Sequence, residues 1–128
     1  MTYYFSKTLT CSFDEAVDKV IQALKQEGFG VLTDINVKET LKKKLDVDFK
    51  QYRILGACNP TFAYQALQAE DKIGTMLPCN VIVQEPVSGQ VEVSVIDPIA
   101  SMQAVENPQL QGIGEQVQGK LRAVIDSL

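Results

Sequence analysis

Three sulfur-bearing side chains, Cys58, Cys79 and Met102, carry the most suggestive chemistry in this sequence. Cys58 stands directly before Asn59-Pro60. Asn is a preferred helix N-cap and Pro a preferred first helical residue. A thiol at that point meets unpaired N–H groups and the positive end of the helix dipole, which favour the thiolate as nucleophile or metal ligand. The pattern is echoed at Pro78-Cys79-Asn80. If the two segments are neighbours, both thiols face one cleft with Asn59 and Asn80. The thioether of Met102, just after Asp97-Pro98, then completes a donor set suited in principle to Cu(I). A bland reading competes, because free cysteine is among the most buried residue types and packs as a small hydrophobe. A Cys58–Cys79 bridge is compatible with the sequence, and geometry decides it. Cys11, at a helix start, reads as inert.

The other candidates are weaker. Glu85 and Asp97 are carboxylates that a general acid–base pair would need, but a hairpin places them at opposite ends, as a solvated strand end and a helix cap. Tyr52 and Tyr64 could line a pocket; core or sheet packing is the plainer role. Lys42-Lys43-Lys44 reads as a solvated helix face rather than an anion site. Arg53 lies on the strand face opposite Cys58 and reads as a surface charge. The chain has no histidine, so Ser-His-Asp and Cys-His catalysis and histidine metal sites are excluded. There is no phosphate-binding loop and no Cys-x-x-Cys. Gly28-Phe29-Gly30 precedes a strand, and Gly112-Ile113-Gly114 lacks the third glycine of a dinucleotide fingerprint.

These residues need a frame. Residues 2–9 alternate as an opening strand, with Tyr3, Phe5 and Leu9 on one face. Ser12 with Glu15 forms a capping box, and Phe13, Ala16, Val17, Val20, Ile21 and Leu24 make a helical stripe that stops at Gly28. Phe29, Val31, Thr33, Ile35 and Val37 predict a second strand. Residues 38–46 predict a short helix with Leu41 and Leu45 inward. Residues 51–58 form a third strand, with Tyr52, Ile54, Gly56 and Cys58 on one face. Pro60 to Ala69 is a helix, and Asp71 to Pro78 a loop. Cys79, Val81, Val83 and Val91, Val93, Val95 are strands of a hairpin about Ser88-Gly89. Asp97-Pro98 opens a short helix through Met102. Asn107-Pro108 opens the last helix, carrying Leu110, Ile113, Val117, Leu121, Val124, Ile125 and Leu128. Its three glycines are explained by close backbone approach or by tolerance.

The alternating strands favour an α+β fold: an antiparallel or mixed sheet of about five strands with helices packed on one face. The 128 residues, 45% hydrophobic and 22% charged, suit one domain spanning 1–128 and argue against disorder. A net charge of −4 opposes nucleic acid and anionic membrane as partners. No secretory signal and no membrane-spanning run is visible, and three sparse cysteines fit a reducing cytoplasm.

Three blocks carry a family resemblance: Glu27 to Asp34 with Leu41 to Leu45, Tyr52 to Pro60, and Leu77 to Val81 with Asp97-Pro98. Over essentially the whole chain they resemble the bacterial and archaeal Domain of Unknown Function family 302. The resemblance implies a β-α-β(4)-α arrangement like that of the TATA-binding protein, association as homodimers, and a shared cleft for Cys58, Asn59, Cys79 and Asn80. It names no activity, substrate or cofactor. The first expectation is therefore a small cytoplasmic binding or sensing module, with Cys58, Asn59, Cys79, Asn80 and Asp97 around a small-molecule or soft-metal site. The alternatives are an interaction module and a thiol-dependent redox protein or enzyme.

Overall fold

The computed structural model describes residues 2–128. Strands β1 (Tyr4–Leu9), β2 (Gly30–Asn36), β3 (Tyr52–Cys58), β4 (Cys79–Val87) and β5 (Gln90–Ile96) form one sheet in the order β1-β5-β4-β3-β2. Every neighbouring pair is antiparallel. The helices are α1 (Phe13–Gln26), α2 (Val37–Leu45), α3 (Pro60–Ala69), α4 (Pro98–Ser101) and α5 (Pro108–Asp126). Setting aside α2, α3 and α4 leaves the expected β-α-β(4)-α skeleton.

Alternation decides which side of the sheet is buried. Val81 and Val83 of β4 and Val91, Val93 and Val95 of β5 are fully buried, together with Leu55 of β3. They meet α1 and α5, whose stripes bury Val20, Leu24, Leu121 and Val124. Burying each such side chain contributes roughly 1.5–3 kcal/mol, so this layer dominates the fold's stability.

The caps form as the sequence predicts. The Ser12 hydroxyl accepts from the Glu15 N–H at 3.2 Å. At the other end of α1, Phe29 N–H donates to Leu24 O and Gly28 N–H to Lys25 O, at 2.9 and 3.1 Å. This double closure needs a left-handed residue, and Gly28 supplies it with φ +85°.

Several expectations need correction. In β2 the register shifts between Val31 and Thr33, so Val31 pairs with Ala57 while Thr33 pairs with Gly56 and Ile35 with Ile54. The bulge moves Thr33 and Ile35 to the face opposite Val31, because one extra residue reverses a period of two. Leu45 is 65% exposed and α2 has no buried residue, so Leu45 does not point inward. The segment expected as a loop contains a 3-10 helix, Asp71–Met76, pinned by the fully buried Ile73. Tyr64 is exposed rather than packed. A Cβ at Gly112 or Gly119 would meet nothing within 4 Å, and at Gly114 it would meet Ile99 at an ordinary 3.7 Å. Tolerance, not close approach, accounts for these glycines.

Candidate functional site

The sulfur set assembles at one end of the sheet. Cys58 is the last residue of β3, Cys79 the first of β4, and Met102 the C-cap of α4. All three line a single cavity of about 30 Å³, together with apolar side chains including Phe29, Phe62, Leu77 and Val117. The three cysteines are free thiols; Cys79 is buried, and Cys58 and Cys11 are half-buried. Burial pushes the Cys79 thiol up to about 11 from its ordinary 9.0, and the adjacent Cys58 pushes the same way.

Asn59 holds this corner together. Its side-chain oxygen accepts from the Phe62 N–H at 3.5 Å, and its amide donates to Glu27 O at 3.4 Å. One residue thus caps α3 and ties it to the turn after α1. A Cβ at Gly28 would stand 3.0 Å from the Asn59 amide nitrogen, so glycine is favoured there by space as well as by φ. The cavity is lined by Asn59, but its polar atoms serve the fold.

The other two expected cleft residues do not join it. Asn80 follows Cys79 in β4, so alternation turns it to the opposite sheet face, where it is exposed. Asp97 accepts from the Ile99 N–H as the cap of α4 and from the Gln118 amide, both at 3.0 Å. Glu85 accepts from the Gly89 N–H in the hairpin turn, so the two carboxylates do stand apart. Lys42 pairs with Asp46 and Asp48 on the surface. Arg53 is ion-paired with Asp34 near the surface, its Nε donating at 3.0 Å. The hydrogen bond to Asp34 raises the Arg53 pKa despite some opposing desolvation.

A second feature, not anticipated from the motifs, occupies the sheet face away from α1 and α5. Tyr3, Tyr4 and Tyr52 rim a groove of about 420 Å³ whose floor includes Ile82, Gln84, Glu92 and Ser94. The Ser6 and Ser94 hydroxyls lie 2.6 Å apart. Ser94 and the Gln84 amide both donate to Glu92 Oε1, at 3.4 and 3.1 Å. The sequence signal was the even-numbered register of Tyr4, Ser6, Gln84, Glu92 and Ser94. It reads as an ordinary wet face until the strand order sets those positions side by side.

Among the described residues no three His, Cys, Asp or Glu side chains cluster as a metal site, and no helix is long and apolar enough to cross a membrane. The model of the family described as "Domain of unknown function DUF302" matches residues 5–128. No curated protein matches. Among solved structures, the chain is similar to an uncharacterized conserved DUF302 protein from Bacillus stearothermophilus, at 28% identity, with 98% of each chain covered and a TM-score of 0.90.

Proposed function

The chain belongs to the DUF302 family, and we propose that it is a small binding or sensing module whose cavity takes a soft monovalent metal ion, Cu(I) in character, on Cys58, Cys79 and Met102. One observation carries the reading: two thiols and a thioether wall a cavity of about 30 Å³. Pockets for metabolites span roughly 300–1,000 Å³, so only an occupant of atomic or water size fits. An apolar lining offers water few partners. Two thiolates and a thioether are soft donors of the kind that select Cu(I), and they fall short of the four ligands of a structural zinc site. A reducing cytoplasm, where thiols stay free, suits the site. A redox or catalytic role with Cys79 as the nucleophile draws less support, since its thiol, raised to about 11, stays protonated at neutral pH until a metal displaces the proton.

The test is anaerobic competition with a Cu(I) chelator, read by absorbance of the chelator complex. One equivalent should leave the chelator for the wild type, and Cys58→Ser and Cys79→Ser should each abolish transfer while keeping the helical circular dichroism. Copper that stays with the chelator, or transfers undiminished to Cys79→Ser, overturns the reading.

A second reading, association as a homodimer, is favoured by α2. It is amphipathic, yet nothing of it is buried, and Leu32, Leu45 and Val47 are exposed around it. A second copy covering this surface would remove apolar area from water. Sedimentation should then give a dimer for the wild type and a monomer for Leu45→Glu; an unchanged state in both sinks this interface.

A further inference from the structure

We propose that the tyrosine-rimmed groove on the sheet face opposite α1 and α5 is a second binding site, for a small organic cation such as a primary amine. Its centre is Glu92, half-buried and placed on the interior strand β5. A carboxylate taken fully out of water is ordinarily paired with a cation, and an occupant of the groove would bury Glu92 further. Among the described residues, Glu92 enters none of the ion pairs, and no Lys or Arg lines the groove. What surrounds it instead orients it. Gln84 and Ser94 both donate to Oε1, and Ser6 lies in contact with Ser94.

The Gln84 amide is held in one orientation. Its nitrogen donates to Glu92, so its oxygen must point away, and that buried oxygen has no partner. Turning the amide over would set two acceptors against each other, so the hydrogen bond to Glu92 fixes the orientation.

The walls favour the same occupant. Tyr3 and Tyr4 meet edge to face with centroids 5.1 Å apart, and Tyr52 stands across from them. Ring faces attract ammonium groups, and aromatic cages beside a carboxylate suit alkylammonium ligands. Tyr52 already has this role towards the chain's own Lys50, whose ammonium lies 5.9 Å from the ring centroid. The groove's 420 Å³ falls in the range of small-molecule pockets. Anions are disfavoured by Glu92 and by the net charge of −4.

The probe is 1,4-diaminobutane, with 1,4-butanediol as the neutral control. The chain has no Trp and four Tyr, three of which rim the groove, so tyrosine fluorescence and amide chemical shifts at low salt both report occupancy. The expected result is saturable binding of the diamine, with shifts centred on Gln84, Glu92 and Ser94 and no saturable response to the diol. Glu92→Gln should weaken binding about tenfold or more, the range for a hydrogen bond to a charged group. Tyr52→Leu should weaken it about fivefold. Glu115→Gln, on the exposed surface of α5, should change nothing. The proposal is overturned if the diamine does not saturate, if the diol binds equally, or if Glu115→Gln weakens binding as much as Glu92→Gln, since the last shows attraction to overall charge. Should Glu92→Gln fail to fold, undiminished binding by Tyr52→Leu overturns it instead.

Discussion

Raising the pH should destabilise this protein by a route that runs through Cys79. Its thiol titrates near 11 in the folded chain, mainly because burial opposes the thiolate, and near 9.0 when unfolded. Below pH 9 both states hold the proton, and the full stability is present. Between 9 and 11 the unfolded chain releases it while the folded chain does not. The unfolded state then binds fewer protons, and stability falls as pH rises. Each tenfold difference in proton affinity between the two states is worth about 1.4 kcal/mol. The loss therefore reaches about 1 kcal/mol at pH 10 and about 2 kcal/mol at pH 11. Lysines, tyrosines and the other cysteines titrate in the same window, so the quantity to read is the wild type minus Cys79→Ala. Urea unfolding at pH 8, 9, 10 and 11, followed by circular dichroism, supplies it. Truncation to Ala contributes an offset of order 1 kcal/mol that does not vary with pH. The varying part should shrink by about 2 kcal/mol from pH 8 to pH 11. A difference that stays flat within about 0.5 kcal/mol would refute the claim that burial holds this thiol protonated.

Three further outcomes follow from the same corner of the molecule. On the proposed reading a metal ion in the cavity displaces the Cys79 proton, so apparent Cu(I) affinity should rise by up to about tenfold per pH unit between pH 6 and 8 for each thiol ionised; a pH-independent competition titration would contradict thiolate ligation. A Cβ at Gly56 would stand 2.1 Å from Thr33 Oγ1 and 2.7 Å from Pro78 Cγ, so Gly56→Ala should cost about 1–3 kcal/mol in urea unfolding. Adding Thr33→Ala should restore only part of that loss, because the proline ring remains; full restoration would place the whole strain on Thr33. Asn59→Ala should cost about 1–2 kcal/mol through the lost cap and the lost link to Glu27, whereas Asn59→Asp should keep most of the cap; equal losses in both would show that the cap is not the stabilising contact.

What the sequence disclosed, and what it hid, divides along a physical line. Caps are local, so Ser12, Gly28, Asn59, Asp97 and Asn107 placed the helix ends correctly. That Cys58 and Cys79 line one cavity was legible as a condition, because β3 and β4 are adjacent and both cysteines sit at the same end of the sheet. Asn80 was misplaced although its neighbour argued against it: if Cys79 faces inward, the next residue of a strand faces out. The bulge at Val31 and Thr33 left no mark in the alternation, which continues through it unbroken in sequence but not in space. Leu45 is exposed because α2 packs too lightly against β2 and β3 to bury any of its residues, a matter of tertiary placement that helical periodicity does not contain. The Glu92 network was hidden for the same reason. Its members come from β1, β4 and β5, and only the strand order makes them neighbours.

That strand order also bears on how the molecule can be made. Both edges of the sheet, β1 and β2, come from the first third of the chain, while its interior is laid down later. Ser6 must wait for Ser94, 88 residues further along, before its strand has a partner. During synthesis at about 5–20 residues per second, β1 and the apolar stripe of α1 therefore emerge several seconds before the β4–β5 hairpin that will cover them. Long-range pairing of this kind closes slowly, and β2–β3 and β4–β5 can zip first as short-range units. The N-terminal strand is then the last piece of the sheet to dock. A nascent chain arrested before residue 90 should hold β1 open to proteases and chaperones, however well the rest has begun to pack.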